Sequence, residues 1–319
     1  MLDLRERAVP FVRLNTEDWI EEATARIHLS EAAFDASFTT RNRSIRLSDI
    51  KSVYFRRPEP PEIRTGAFDH GVADFIVRES QALLDLVLSC APAHWVNHPY
   101  TIRAAANRVH QLRSALRHSF RVPDTLFTSE AERVEDFLNR YPEGAIVKTI
   151  RSPHIVLGGR NCIIYSRHLT AREFSETEQL KYSPLIVQQW IDKKLDIRVT
   201  VVGTRVFAAE IHSQNESGGR FDWRAGNLSS QSHSPHLLPQ RLEQSCVDLT
   251  NDLGLSYAAI DLVLDKSNNY YFLEVNPNGE WAWIQTNVGF PVANAIADLL
   301  CSSRDSNASP HAGSPCALR

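Results

Sequence analysis

The sequence lacks the patterns that mark several large classes of protein. Its five cysteines are widely spaced and form no CxxC pair, which argues against a disulfide framework or a zinc site and favours a reducing compartment. No apolar run approaches the roughly 20 residues that cross a bilayer, and the first residues show no apolar stretch of signal-peptide length. Thirteen glycines and 16 prolines are too few for a low-complexity chain. We therefore expect a cytoplasmic protein without a membrane segment.

The sequence also has no large excess of basic or acidic residues. The 319 residues carry 35 basic and 38 acidic side chains, a net charge of −3, which argues against a nucleic-acid partner. One stretch, 86–123, contains neither Asp nor Glu, and Arg113, Arg117 and Arg121 recur in it every four residues. Such a stripe on a helix is typical either of a solvated face or of a surface for an anionic partner.

The hydrophobic period indicates an N-terminal α/β unit, a second region of strands and helices, and a tail. Residues 1–98 contain expected strands and a long helix between residues 66 and 90, and they form the N-terminal α/β unit. From Val122 onward the period changes and short apolar strands alternate with helices, so the fold class is α/β (α+β). The tail, 303–319, is small and polar, and we expect it to be disordered.

The last hairpin of the sequence places two carboxylates opposite each other. If residues 266–269 close a simple antiparallel pair, Asp261 faces Glu274, and Asn276 lies on the same face. Opposed carboxylates repel, so the pattern favours a hard cation such as Mg²⁺, which takes one or two carboxylates together with phosphate oxygens. The alternative is that the carboxylates splay into solvent and that Asn276 forms a turn before Pro277.

Three further strands carry residues that suit a phosphate or a nucleotide. Lys148 lies among apolar residues and is either an edge residue that reaches water or a fixed cation for phosphate. Asp196 and Arg198 share one face of a strand, either as a structural ion pair or with the arginine held for a transferable phosphate. The apolar strand 184–191 ends in polar residues and is either a core strand or a hinge for a purine edge.

Taken together, these segments resemble the nucleotide-binding half of ATP-grasp ligases. The motifs that carry the resemblance are AIVKTI, PLIVQQWI, DIRVTVVGTRVFAAEIHS, FDWRAGN, AAIDLVLD and FLEVNPNGEWAWI. YFRRP near the start, Asp222-Trp223-Arg224 and the ending NPNGEWAWIQTNVGFP are similar to the ATP-grasp peptide maturases of the graspetide and microviridin group. The resemblance covers about Val9 to Leu300.

The resemblance implies an ATP-grasp fold with a Rossmann-like pre-ATP-grasp unit, residues 1–98, whose first strand is missing. A central ATP-grasp subdomain, residues 99–183, and a C-terminal ATP-grasp subdomain with the metal hairpin, residues 184–302, would follow. It also implies ATP and Mg²⁺ as cofactors. The implied cofactor-binding residues are Lys148, Arg108, Gln188, Gln189, Trp190, Ile191 and Arg198. The implied metal ligands are Asp261, Glu274 and Asn276, and the implied catalytic cations are Arg198 and Arg224. Two positions depart from the family pattern, which often has lysine at Arg108 and glutamate at Gln189.

The resemblance implies a reaction as well. ATP would phosphorylate an Asp or Glu side chain of a ribosomal precursor peptide, made of a leader and an acidic core. A Ser or Thr hydroxyl or a Lys amine would then attack the acyl phosphate and close an ω-ester or ω-amide macrocycle. The alternatives are another ATP-grasp ligase, which adds amino acids to a protein C-terminus or joins small molecules, and a non-catalytic nucleotide- or peptide-binding module. Whether the protein is a homodimer stays open.

Overall fold

The structure is a computed structural model that describes residues 2–41, 43–151, 153–175, 178, 180–215, 219–226 and 232–302. The helices among them are α1 (Leu2–Glu6), α2 (Trp19–Glu22), α3 (His70–Ser89), α4 (Pro99–Ala105), α5 (Arg108–Arg117), α6 (Ala131–Arg140), α7 (Gln240–Asp252), α8 (Ala282–Val288) and α9 (Val292–Cys301). None of these described helices is both long and apolar enough to cross a membrane. The tail 303–319 lies outside the described residues, so its expected disorder stays a prediction.

The strands form several small sheets. Their bounds are β1 (Ala23–Leu29), β2 (Phe34–Thr40), β3 (Arg43–Arg46), β4 (Ser52–Tyr54), β5 (His94–Val96), β6 (Thr125–Thr128), β7 (Ala145–Thr149), β8 (His154–Leu157), β9 (Arg160–Ile163), β10 (Arg167–Leu169), β11 (Leu185–Gln189), β12 (Lys193–Val202), β13 (Arg205–Ile211), β14 (His233–Pro235), β15 (Tyr257–Asp265) and β16 (Tyr270–Asn276). The chain divides into two compact units, one made of residues up to His98 and from Ala293 onward, the other of Pro99–Val292. The finer division into 99–183 and 184–302 stays a prediction.

The first unit is built on an antiparallel sheet with the strand order β1-β2-β3. Its core contains Trp19, Phe38 and Leu84, and the rings of Trp19 and Phe38 are 6.3 Å apart. A Rossmann-like unit needs a mostly parallel sheet, but parallel pairing in the described part of this unit is confined to β4 and β5. The expected Rossmann-like architecture is therefore not confirmed.

Besides the two-stranded antiparallel sheet of β8 and β9, the described part of the second unit contains two larger antiparallel sheets. The smaller has the strand order β10-β7-β11-β6 and packs against Val134, Phe137 and Leu138 of α6. These three residues share one face because they are three and four positions apart. This sheet carries Lys148 on β7 and the segment that begins at Gln188 on β11.

The larger sheet has the strand order β14-β13-β12-β15-β16. Because side chains alternate along β12, Ile197, Val199 and Val201 lie on one face of the strand. They are buried in a core that also contains residues of α7. The opposite face of the same strand carries Asp196 and Arg198, which are also buried. Full burial of each aliphatic side chain contributes roughly 1.5–3 kcal/mol, so the core holds the polar face of β12 in place.

The helix of the acid-free stretch is shorter than the arginine spacing predicts. α5 ends at Arg117, and Ser119 has a positive φ of 64°, so Arg121 is not on this helix. Arg117 is also paired, since its Nη2 lies 2.7 Å from Oδ2 of Asp252. The expected three-arginine stripe is therefore wrong, and Arg113 is the member that remains exposed on the helix without a described acidic partner.

Candidate functional site

The two strands of the last hairpin bring the candidate carboxylates face to face. Asp261 is paired with Glu274, as a simple hairpin predicts. Nearer the turn the register moves by one residue, because Leu262 faces Phe272 and leaves Leu273 as an extra residue of β16. Such a bulge bends a strand and redirects its neighbouring side chains. The side chains of Asp261 and Glu274 are only 12% and 13% exposed, so neither splays into solvent.

Each carboxylate has an arginine of its own. Nε of Arg198 lies 2.8 Å from Oδ1 of Asp261, an ion pair rather than a well-aligned hydrogen bond. Nη1 of Arg108 lies 2.7 Å from Oε2 of Glu274. Two guanidinium groups therefore offset the repulsion between the carboxylates in this structure. Each named ion pair uses one oxygen of a carboxylate that has two.

A helix start places Arg108 beside Glu274. The side chain of Asn107 accepts a hydrogen bond of 3.0 Å from the backbone N–H of His110, which caps α5 and contributes about 0.5–2 kcal/mol. Arg108 is then the first residue of the helix. Where the family pattern often has lysine, this chain therefore has a planar guanidinium that can bind an oxyanion through two donors.

Burial and the neighbouring charges shift the pKa values of the two carboxyl groups in opposite directions. Burial raises the pKa of Asp261 to about 6, against the attraction of Arg198 and with the charge of Glu274 acting in the same direction as burial. Burial also favours neutral Glu274, but Arg108 and Lys148 outweigh it and lower the pKa of Glu274. Glu274 is therefore held as an anion, as expected of a group placed among cations.

Lys148 presents a cation from the smaller sheet. It is opposite Ile186 of β11, and its Nζ donates a hydrogen bond of 2.9 Å to Oε1 of Gln188. Nε2 of Gln188 in turn donates to Oγ1 of Thr125 at 2.8 Å. Burial lowers the pKa of Lys148, while the charge of Glu274 raises it. The ammonium group is thus fixed by a polar chain and lies within the electrostatic reach of the carboxylates.

The hinge segment follows directly on β11. Gln189 ends that strand, its backbone N–H donates to the carbonyl of Asp124 at 2.8 Å, and residues 190–192 connect to β12 outside either strand. The ring of Trp190 lies against His168, with centroids 5.1 Å apart, so the indole belongs to a local cluster. The assignment of adenine to Gln188, Gln189, Trp190 and Ile191 stays a prediction.

Arg224 is anchored by the acidic residue two positions before it. The buried carboxylate of Asp222 accepts hydrogen bonds from the backbone N–H of Arg224 at 3.1 Å, from its Nε at 3.0 Å and from the N–H of Ser166 at 3.1 Å. Desolvation lowers the pKa of Arg224, and the carboxylates of Asp222, Glu274 and Asp261 more than offset it, so the pKa is raised. The side chain remains 47% exposed and can reach a bound anion.

Two residues that the sequence analysis did not assign surround Arg198. The guanidinium carbon lies 5.6 Å from the ring centroid of Trp223, within the range of a cation–π contact. On another side, a Cβ added to Gly279 would lie 3.3 Å from Nη1 of Arg198 and 2.5 Å from Cβ of Ala259. Glycine at 279 therefore leaves room for the guanidinium. Both residues are members of motifs quoted above, since Trp223 is the centre of Asp222-Trp223-Arg224 and Gly279 ends the NPNG segment.

Asn276 is at the end of β16, paired with Ala259. Its Oδ1 accepts a hydrogen bond of 3.1 Å from the N–H of Asn278, and its carbonyl accepts one of 3.3 Å from the N–H of Gly279. The side chain thus forms the turn that the sequence left open as an alternative. Its role as a metal ligand stays a prediction.

The donor set fits a magnesium ion that is shared with phosphates. Within the described residues no three His, Cys, Asp or Glu side chains form a group that could hold a metal alone. Two carboxylates whose coordination is completed by phosphate oxygens are the common arrangement for Mg²⁺. Lys148, Arg108, Arg198 and Arg224 supply the positive charge that a polyphosphate needs. The arrangement suits phosphoryl transfer, which depends on positioning and charge neutralisation.

This fold and this site define an ATP-grasp enzyme. A model of the RimK-like ATP-grasp domain matches residues 105–300, and the chain belongs to the RimK-like ATP-grasp family. The expected ATP-grasp fold and the expected class of carboxylate ligase are confirmed.

The chain is also similar in fold to solved structures of a RiPP-associated ATP-grasp ligase and of a macrocyclase. It is similar to the RiPP-associated ATP-grasp ligase of Chryseobacterium gregarium, solved with ADP and a leader and core peptide, with a TM-score of 0.85, 25% identity and coverage of 94% of this chain and 91% of that one. The macrocyclase MdnC of Microcystis aeruginosa, bound with precursor peptide MdnA, shares the fold with a TM-score of 0.82, 22% identity and coverage of 94% and 93%. The expected resemblance to this group is confirmed.

Two curated proteins are also similar to the chain. The glutamate–LysW ligase ArgX of Sulfolobus acidocaldarius is 21% identical over 254 residues, which cover 77% of this chain and 86% of that protein. An uncharacterized Mycoplasma pneumoniae protein, the MG012 homolog, is 29% identical over 119 residues, or 35% of this chain. The chain spans 40% of the length of that Mycoplasma relative.

Proposed function

We propose that the protein uses ATP to crosslink a ribosomal precursor peptide. It would activate Asp or Glu side chains of the peptide as acyl phosphates and close ω-ester or ω-amide macrocycles. The single observation that carries the proposal is the convergence of Asp261 and Glu274 with four cations from separate elements, in a fold shared with a ligase solved with ADP, leader and core.

The first step is the activation of the peptide carboxylate. A carboxylate oxygen attacks the γ-phosphorus of ATP, the bond between that phosphorus and the β,γ-bridging oxygen breaks, and ADP leaves. Arg198 and Arg224 are the cations for the transferring phosphoryl group, and Lys148 and Arg108 neutralise the phosphates of the nucleotide. Such preorganised charges stabilise the transition state without reorganisation. Asp261, Glu274 and Asn276 would hold Mg²⁺, which supplies further neutralisation of the phosphate oxygens when bound.

The second step closes the ring. A hydroxyl oxygen or an amine nitrogen of the peptide attacks the acyl carbon, the bond from that carbon to the phosphate oxygen breaks, and phosphate leaves while the nucleophile loses its proton. The peptide loses one water per ring in total. Trp223 lies over Arg198, and we assign it the role of excluding water, which would otherwise hydrolyse the acyl phosphate.

The proposal includes the molecules and the compartment. ATP and Mg²⁺ are the cofactors, and the partner is a peptide with a leader and an acidic core. We place the reaction in the cytoplasm because it consumes ATP, and it requires no nucleic acid. The oligomeric state, including a homodimer, is to be measured by sedimentation.

A second candidate function is the addition of an amino acid to a protein. It is favoured by the likeness to the glutamate–LysW ligase over 77% of this chain, and the same nucleotide residues would serve it. A carboxylate at the C-terminus of the acceptor protein, rather than a side chain, would then be activated. The acceptor would gain the mass of an amino-acid residue, which is the amino acid less one water, whereas the crosslinked peptide only loses water.

Mass spectrometry separates the two candidates. The full chain is incubated with ATP, Mg²⁺ and the peptide that is encoded beside it, and the peptide mass is read together with ADP release. We expect the loss of one water per ring, dependent on ATP and Mg²⁺. ADP release without a change in the peptide mass, or a mass gain when free glutamate is supplied, would contradict the proposal.

A further inference from the structure

On the strand that carries Glu274, a glutamine side chain forms hydrogen bonds to the outer edge of the backbone at Val275. β16 is the last strand of its sheet. At Val275, the backbone N–H donates a hydrogen bond of 3.0 Å to Oε1 of Gln111, and Nε2 of Gln111 donates one of 2.8 Å to the carbonyl of Val275. The amide of Gln111 therefore meets both backbone groups of one residue, as a neighbouring strand would.

Gln111 is buried and its hydrogen bonds are short. Only 1% of the residue is exposed, and its Nε2 makes a second bond of 2.7 Å to the carbonyl of Ala105. Nη1 of Arg108 lies 3.4 Å from Oε1 of Gln111. One amide thus joins the backbone of β16 to the helix whose first residue pairs with Glu274.

The location of this contact matters because beyond the bulge β16 is held to β15 by three residue pairs, Asp261–Glu274, Ile260–Val275 and Ala259–Asn276. Leu273 is the extra residue of the bulge, and Glu274 follows it directly. A slip of one residue would turn Glu274 to the opposite face of the sheet. Val275 lies between Glu274 and Asn276, the two proposed metal ligands of β16, so a bond to both of its backbone groups holds the register where it is needed.

We propose that Gln111 is a positioning residue of the metal–nucleotide site. It fixes the strand on both sides of Val275 and the start of α5, and thereby aims Glu274 at the metal and Arg108 at the phosphates. The inference rests on the ATP and Mg²⁺ dependence of the proposed function, but not on the identity of the peptide. Partners that orient metal ligands typically change metal affinity about 10- to 100-fold when they are removed.

The test compares two variants of one helix. Gln111→Met keeps the length of the side chain and removes both contacts to Val275. Ser114→Ala is the matched control, because Ser114 is equally buried on α5 but its hydroxyl contacts Asp252 rather than β16. For each full-length protein, ADP binding is measured by calorimetry with increasing Mg²⁺ and again in EDTA.

We expect Gln111→Met to require about 10-fold or more Mg²⁺ for the same ADP affinity, with a smaller loss of ADP affinity in EDTA, and Ser114→Ala to match the wild type in both. Equal Mg²⁺ dependence in Gln111→Met and the wild type would overturn the inference, and so would an equal loss in both variants. If Gln111→Met does not fold, Gln111→Glu keeps the acceptor for the N–H of Val275 and is judged by the same criteria. A wild type that binds Mg²⁺·ADP but crosslinks no peptide would overturn the proposed reaction and leave this inference standing.

Discussion

One face of β12 carries two buried ion pairs that differ in what surrounds them. Asp196 pairs with Lys193, whose Nζ lies 2.8 Å and 2.7 Å from its two oxygens, and the hydroxyl of Ser213 also donates to it. Two residues further along β12, Arg198 pairs with Asp261 of the neighbouring strand β15. All four side chains of the pairs are at most 12% exposed, so burial does not distinguish them.

The distinction is the balance of charge around each pair. Both oxygens of Asp196 are bonded within a closed network. Asp261 faces a second carboxylate, Glu274, and it lies within the electrostatic reach of Arg224 as well as Arg198. A buried pair alone is weak evidence of function or of stability, whereas an excess of converging charges from different elements indicates a site for a charged ligand.

The largest expected effect is the loss of turnover when the second pair is broken. Asp261→Asn and Glu274→Gln each keep the shape of the side chain and remove a negative charge from the proposed metal site. We expect peptide crosslinking to fall by about 100- to 1,000-fold, the usual consequence of removing one preorganised group from a transition-state site. The measurement is kcat/KM by peptide mass spectrometry, and retained turnover in both variants would sink the assignment.

The first pair should respond in stability instead. Asp196→Asn leaves the ammonium of Lys193 buried without its partner, so we expect the free energy of unfolding to fall by about 3–5 kcal/mol. The folded variant should keep most of its turnover. Urea denaturation measures the loss. The double variant Lys193→Met/Asp196→Leu should recover the stability, because an apolar pair replaces a buried ion pair at little cost; no recovery would show that the network does more than balance charge.

A substitution of Lys148 tests whether this cation contributes to nucleotide binding. Lys148→Ala should abolish the stabilisation by a non-hydrolysable ATP analogue, which amounts to about 2.7 kcal/mol when the analogue is present at 100 times its Kd. Lys181→Ala is the control, since the side chain of Lys181 is 57% exposed and pairs with Glu178. A thermal shift that is equal for both variants would return Lys148 to a purely structural role.

The smallest effect is expected on the surface of α5. Arg113→Glu should weaken the binding of an acidic precursor at low salt by no more than about 1 kcal/mol, the range of exposed charge pairs. Salt should remove the difference, because the Debye length is about 8 Å at physiological ionic strength. Arg113→Lys keeps the charge and should behave as the wild type in fluorescence titrations. An unchanged affinity of Arg113→Glu at low salt would make this a solvated face.

Local patterns predicted part of the site and missed its support. A hairpin closed by residues 266–269 places Asp261 opposite Glu274, and this pairing is confirmed. The bulge at Leu273 leaves no mark in the alternation of apolar and polar residues, so the register nearer the turn could not be foreseen. Gln111 binds a residue 164 positions away, and no local pattern reports such a contact.

Two other expectations, one wrong and one not confirmed, depend on physical causes that lie outside the sequence pattern. Regular arginine spacing predicts a helix through Arg121, but α5 ends where Ser119 adopts a left-handed conformation, and no glycine marks that end. The residues before His98 have strand and helix propensities that suit a parallel unit as well as the antiparallel sheet they form. Propensity determines the type of an element more reliably than its pairing partner.

The most direct test is to measure Mg²⁺·ADP binding to two variants that each lose one negative charge, Asp196→Asn on β12 and Asp261→Asn on β15. Calorimetric titration of Asp261→Asn and Asp196→Asn, both at a temperature where each is folded, compares the two ion pairs without any peptide. We expect Asp261→Asn to lose Mg²⁺-dependent ADP binding and Asp196→Asn to keep it. Binding that survives in Asp261→Asn and is lost in Asp196→Asn would contradict this expectation.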